Sequence, residues 1–222
     1  MRTKLGVVVA SLALTVGTTA ILTAGPAEAG TVTQATLTIN NGHHKAKGQY
    51  GNFIGFMVGG VTDGAGNPVD EGRADLQRKQ PGKGWKTVMS FVDPTTLTIA
   101  DYGSKAKGNV RYRLHYLGDA TYAPTYSDVV TVTTLWNFKD TSACPNGHCH
   151  ISGKLIPKAR HHRILVQVKH GSWKRYRVLH TSVKGSYKVG VTGSRNGTKY
   201  RIIIAGTKSI VATSKRYRVI RY

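Results

Sequence analysis

The sequence is poor in acidic residues, above all in its second half. Its 222 residues contain 32 Lys and Arg but only 10 Asp and Glu, for a formal net charge of +22. Asp140 is the single acid in residues 135–222, which hold 19 basic residues. The eight acids of residues 30–134 include no pair in the setting of a glycosidase couple. Glycosidase chemistry is therefore not expected.

Cysteine is also scarce, since Cys144 and Cys149 are the only two. They are expected to form a local disulfide that closes a Pro-Asn-Gly turn. Free thiols, or a zinc site that adds His148 and His150, are the alternatives, although zinc sites usually draw their ligands from two separated segments. As a nucleophile, Cys149 would need a lowered pKa and a positioned base. The neighbouring cysteine would more readily consume its thiol, so no catalytic residue, metal or cofactor is expected.

Long apolar runs are absent after residue 29. Arg2 and Lys4 precede an uncharged stretch at residues 5–22, and residues 27–29 (Ala-Glu-Ala) supply the small side chains that a signal peptidase reads. We therefore predict a cleaved signal peptide at 1–29 and a secreted protein that begins at Gly30. No later stretch approaches the roughly 18 apolar residues that a membrane helix needs, so no membrane span is expected.

Helical periodicity is missing as well, and alternation takes its place. Ile164, Val166 and Val168 fall on one face of a strand, and similar alternating triplets follow at 187–191 and 200–204. Glycine-containing turns separate these runs. Short strands with turns about every 8–12 residues are typical of a β-sandwich, so the sequence predicts an all-β fold.

The chain contains an internal repeat with a spacing of 88 residues. Trp85 recurs as Trp173, and the pair Tyr112-Arg113 recurs as Tyr200-Arg201. A period of this length is a whole small domain, since solenoid units typically repeat every 20–50 residues. We therefore predict two β-sandwich domains, the first copy at 30–134 and the second copy at 135–222. The repeated Trp and Tyr side chains are expected to occupy equivalent sites and to be largely buried.

Several segments resemble the Ig-like repeat domains of secreted and surface proteins from high-GC Gram-positive bacteria. The resemblance rests on residues 116–125 (YLGDATYAPT) and on the order of a Gly-led strand at 59–61, a Leu-Gln strand, a Trp-Lys strand and a Tyr-Arg strand. It covers most of residues 31–222 and implies tandem Ig-like β-sandwiches that serve as spacer, adhesive or binding modules. The second copy departs from it, because residues 205–209 (AGTKS) replace the Gly-Asp-Ala-Thr-Tyr segment.

The second copy is a cation, with a net charge of +18, whereas the first copy is close to neutral at +3. The motif Lys-Arg-Tyr-Arg occurs at 174–177 and again at 215–218, with Lys-Tyr-Arg at 199–201 between them. If the tyrosines face the core, strand alternation turns the neighbouring arginines outward on one basic sheet face. A charge this large exceeds what solubility alone requires, because unopposed charge repels itself. The residues expected to bind a polyanion are Lys174, Arg175, Arg177, Lys199, Arg201, Lys215, Arg216 and Arg218.

The expected partner is an anionic polymer. For a secreted Gram-positive protein this points first to wall teichoic acid, whose phosphates suit Arg and Lys, and then to extracellular nucleic acid. The sequence thus predicts a non-enzymatic adhesion module that is extracellular and associated with the cell wall. The alternative is a secreted inhibitor or effector that binds an acidic protein.

Overall fold

A computed structural model describes residues 30–99, 105–145 and 148–221. The predicted signal peptide at 1–29 lies outside the described residues. Within those ranges the regular structure is strand and contains no α-helix, which confirms the predicted all-β class. No helix in these ranges is long and apolar enough to span a membrane.

The first copy contributes strands to two sheets. Its strands are β1 (Thr33–Ile39), β2 (Lys45–Gln49), β3 (Met57–Asp63), β4 (Ala74–Lys79), β5 (Trp85–Phe91), β6 (Leu97–Ile99), β7 (Val110–Tyr116), β8 (Thr125–Tyr126) and β9 (Val130–Leu135). One sheet has the order β1-β3-β6, and the other has the order β2-β9-β7-β4-β5, with β8 paired to β7. Inward side chains of both sheets, such as Leu37, Leu76 and Leu114, are fully buried and form one core.

The second copy repeats this plan with fewer strands. Its strands are β10 (Asn137–Ala143), β11 (Cys149–Ile156), β12 (Arg163–His170), β13 (Ser172–His180), β14 (Ser186–Val191), β15 (Thr198–Ile204) and β16 (Thr213–Val219). They form a three-stranded sheet, β10-β11-β14, and a four-stranded sheet, β13-β12-β15-β16. Ile164 and Val166 are fully buried and Val168 is nearly so, as the alternation predicts. These side chains pack in a separate core.

The two copies share even their irregularities. β4 and β5 shift register after Leu76, and β12 and β13 shift register after the equivalent Val166. Each shift is a β-bulge, in which two residues of one strand face one residue of the other. The extra residues are Val88 and Tyr176, again 88 positions apart. The repeat seen in the sequence is therefore a repeat of backbone geometry.

Candidate functional site

Cationic side chains of the second copy gather on the outer face of its four-stranded sheet, the side that points away from the core. The register of β15 and β16 sets Lys199 opposite Arg218 and Arg201 opposite Arg216. These residues alternate along their strands with buried ones such as Tyr200, so their side chains point outward. Like charges that face each other across a strand pair repel. The face therefore holds concentrated positive charge that its own residues do not neutralise.

A tryptophan lies among these cations. Trp173 is half-buried, and the guanidinium carbons of Arg201 and Arg216 lie 4.7 Å and 6.0 Å from its ring centre. Trp85 is likewise half-buried on the outer face of the first copy. Both tryptophans occupy equivalent positions and are largely buried, as predicted, but they lie on the outer faces and not in a core. The repeat preserves them because each packs an arginine against its own sheet.

The same three-residue cluster recurs in both copies. Arg201 donates from Nε to Oε1 of Gln167 at 2.9 Å and lies against Trp173. Its counterpart Arg113 donates from Nε to Gln77 at the same distance and lies 4.4 Å from the ring centre of Trp85. The side-chain carbonyl of the Gln and the Trp ring hold each guanidinium in place against the sheet. The repeated tyrosines Tyr112 and Tyr200 are buried, as expected.

The bulge in β13 separates two arginines that the sequence places together. Arg175 pairs with Gln167, whose side chain lies on the outer face, but Arg177 pairs with the buried Val166. Opposed residues direct their side chains to the same side of a sheet. The expectation that Arg175 and Arg177 share one face is therefore wrong, because simple alternation does not survive the extra residue Tyr176. Arg177 remains exposed because β13 is an edge strand.

Lys174 and Lys215 also lie on the core side of their strands. Lys174 pairs with the buried Val168, and Lys215 pairs with the buried Ile202. Lys215 Nζ lies 2.8 Å from a carboxylate oxygen of Asp140, whose side chain is only 3% exposed. The single acid of the second copy is thus an internal partner for one of the predicted polyanion-binding lysines.

Two tyrosines complete the surroundings of Asp140. Tyr217 donates a hydrogen bond to its second carboxylate oxygen. Burial and this hydrogen bond raise the pKa of the Tyr217 hydroxyl, and burial together with the negative charge of Asp140 raises that of Tyr187. Both phenols therefore stay protonated at neutral pH. No sequence pattern indicates this cluster, because its members come from β10, β14 and β16.

An open cleft of about 440 Å³ lies beside Trp173 on the outer face. Lys169, Lys199, Arg216 and Arg218 line it, and Lys169 was not singled out from the sequence. Alternation along β12 could have identified Lys169, since it follows Val168 and pairs directly with Trp173. The cleft can hold an anionic group between several cations next to an aromatic ring.

Cys144 and Cys149 form a disulfide that joins the end of β10 to the start of β11. This confirms the prediction that the two cysteines form a local disulfide. The bond leaves neither thiol available as a nucleophile or as a thiolate ligand for zinc.

The outer face of the first copy is polar, and its polar side chains form hydrogen bonds with one another. Asp75, only 6% exposed, accepts hydrogen bonds from Arg73 Nε at 2.9 Å, Ser90 Oγ at 2.7 Å and Thr87 Oγ1 at 3.1 Å. Burial raises the pKa of Asp75, but these hydrogen bonds outweigh it and the net pKa is lowered. Burial, with the charge of Arg113, lowers the pKa of nearby His115.

The segment at 116–125, on which the family resemblance rests, is a hydrogen-bonded turn. Tyr116 donates to the Asp119 carboxylate at 2.8 Å, and the other oxygen of Asp119 accepts from the backbone of Thr121 and Tyr122. The backbone bonds lower the pKa of Asp119. These contacts stay within the first copy, so the motif has a structural function here.

Comparisons with known proteins identify similar structures but no family. No family model matches the chain, and no curated protein matches it. The tetra-tandem repeat in the extending region of a large adhesion protein is similar over 84% of this chain and 49% of its own, with 11% identity and a TM-score of 0.38. A second similar structure comes from work on host cell surface retention of a 1.5-MDa bacterial ice-binding adhesin. The similarity covers 86% of this chain and 65% of that chain, with 10% identity and a TM-score of 0.29. The chain thus spans about half the length of the first similar structure and less than two thirds of the length of the second. Likeness at this level carries no conclusion about the ligand.

Proposed function

We propose that this protein is a non-enzymatic, extracellular adhesion module whose second copy attaches to an anionic polymer by electrostatic attraction. The observation that carries the proposal is that two pairs of cations, Lys199 with Arg218 and Arg201 with Arg216, lie opposite each other on one exposed sheet face. No carboxylate shares that face in the described residues, because Asp140 is buried on the other side of the sheet. The first copy would serve as a spacer or as a second binding domain.

Electrostatic attachment accounts for the uneven charge of the chain. A surface that serves only solubility gains nothing from cations placed opposite one another, since each pair costs stability. A polymer with regularly spaced phosphates or carboxylates would offset that repulsion. Wall teichoic acid is the member of this class expected for a secreted Gram-positive protein, and membership in the Ig-like repeat family remains part of the proposal.

A second candidate function is a secreted inhibitor or effector that binds an acidic protein. The cleft beside Trp173 favours it, because aromatic and Arg side chains are enriched at protein interfaces. Fractionation of expressing cells separates the two candidates. An adhesion module stays with the cell wall and elutes with salt, whereas an inhibitor accumulates in the medium.

The direct test measures binding of the whole chain to heparin, teichoic acid and DNA at several salt concentrations. If about six phosphates are neutralised on DNA, affinity should fall roughly a thousandfold between 50 and 200 mM salt. The face variant replaces four outer-face cations by Gln: Arg175, Lys199, Arg216 and Arg218. The matched control removes the same charge from exposed positions outside that sheet: Lys154, Lys158, Lys184 and Lys188.

The face variant should lose most binding and show a flatter salt dependence, while the control should keep both close to the original. Equal losses in the two variants would show that only net charge matters. Binding that does not change with salt would contradict electrostatic attachment.

A further inference from the structure

The outer faces of the two copies differ in what covers the repeated arginine. In the first copy, the guanidinium carbon of Arg113 lies 4.4 Å from the ring centre of Trp85 and 4.0 Å from that of Tyr126. The Tyr126 ring also stacks on His115 at 4.1 Å, nearly parallel. Two rings of the first copy therefore cover its arginine, one from β5 and one from β8.

The second copy has no counterpart of the Tyr126 ring. Tyr126 pairs with His115, and the equivalent pair in the second copy is Ser214 with Ile203, 88 positions later in both strands. Ser214 is exposed and has no ring to offer. Among the described residues, Arg201 contacts the single aromatic ring of Trp173. We call the vacated space beside Arg201, over Ser214 and Ile203, the ring position.

The floor of the ring position is apolar, unlike that of the first copy. Ile203 and Leu165 are half-buried there and pair with each other across β15 and β12, and Val178, 36% exposed, pairs with Leu165. The equivalent residues of the first copy are the polar Asp75, Ser90 and His115. An apolar floor next to a flat guanidinium suits the face of a planar ring.

We propose that the ring position of the second copy accepts a nucleobase of single-stranded nucleic acid, with the adjoining phosphates held by Lys199, Arg216 and Arg218. The proposal rests on the proposed function and names the class of polymer. A stacked base would take the place that Tyr126 occupies in the first copy, and the cations on β15 and β16 lie along the same face. Single-strand binding sites combine these two features, a cationic track and a stacking platform. A saturated glycopolymer would use the cations and leave the ring position empty.

The test compares two fluorescent oligonucleotides of equal length and charge, one of thymidines and one of abasic nucleotides, bound to the whole chain at fixed salt. Stacking of one base should make the thymidine strand bind at least about fivefold more tightly. Ser214→Tyr supplies the missing ring from the protein itself, as Tyr126 does, and should reduce that ratio to about one without changing affinity for heparin.

Two further variants guard against indirect effects. Ser142→Tyr adds the same side chain at an exposed position of the three-stranded sheet and should leave the ratio unchanged. Arg201→Lys keeps the charge but removes the planar guanidinium, and should reduce the ratio as Ser214→Tyr does.

The results distinguish the nucleobase proposal from the electrostatic attachment on which it rests. Equal binding of both strands by the unaltered chain would overturn the nucleobase proposal and leave electrostatic attachment in place, with a glycopolymer as the better ligand. A ratio that survives Ser214→Tyr would also overturn it. If heparin and both strands fail to bind, the proposed function itself is wrong.

Discussion

At the scale of single residues, the most consequential side chain of the second copy is its only acid. Asp140 is almost fully buried, with Lys215 and Tyr217 as its hydrogen-bond donors. A buried carboxylate is costly unless it is paired. Lys215, although half-exposed, therefore stabilises the fold, and its identity is constrained independently of any ligand.

We expect Lys215→Ala to lower the free energy of unfolding by about 2–3 kcal/mol, because it leaves the Asp140 charge without its cationic partner. Urea denaturation would measure this. Lys188→Ala removes an exposed lysine from the opposite sheet and should cost less than about 0.5 kcal/mol.

The double change Asp140→Asn with Lys215→Met removes both charges and should cost clearly less than the sum of the two single changes. Additive costs would mean that the ion pair contributes nothing to stability.

At the scale of elements, the three-stranded sheet of the second copy depends on a glycine. Asp140, Gly153 and Tyr187 lie side by side on β10, β11 and β14. A Cβ atom on Gly153 would lie 2.7 Å from the Tyr187 hydroxyl oxygen. The absence of a side chain at Gly153 therefore lets the Tyr187 ring lie across β11 on the side of Asp140.

Gly153→Ala should lower the unfolding free energy by about 1–3 kcal/mol, because the added methyl group displaces a buried aromatic ring. The matched control is Gly190→Ala on the neighbouring strand, where a Cβ would have no neighbour within 4 Å. Thermal unfolding of the two variants would measure the difference in their stability. A Gly190→Ala variant as unstable as Gly153→Ala would indicate a general requirement for glycine in this sheet.

At the scale of the whole molecule, the two copies are joined with almost no linker. β9 ends at Leu135 and β10 begins at Asn137. Trp136, the one residue between them, is 2% exposed and donates from its indole nitrogen to the Ala205 carbonyl at 2.8 Å. Backbone bonds such as that from Val211 N to Thr134 O, at 2.8 Å, tie the copies together. We therefore expect the junction to resist hinge motion.

The predicted division at 134/135 can be tested by expressing 30–134 and 135–222 separately. Each should fold alone, because the buried residues of the two cores fall within 35–132 and 136–219. Circular dichroism should show a strand spectrum and a cooperative melt for each piece. An unfolded first piece would mean that the contacts at the junction are needed for folding.

The all-β class, the repeat, the charge asymmetry and the disulfide could all be predicted from the sequence. Each of these follows from local alternation, composition or spacing, which are properties of the linear chain. Which cations share a face, in contrast, depends on how the strands pair in the folded protein. The bulge at Tyr176 moved Arg177 away from Arg175, and Asp140 reached Lys215 across 75 residues of chain. Bulges and long-range pairs depend on how strands meet, and the pattern of a single strand does not specify that. For the same reason, the absence of a second ring beside Arg201 can be recognised only by comparing the folded structures of the two copies.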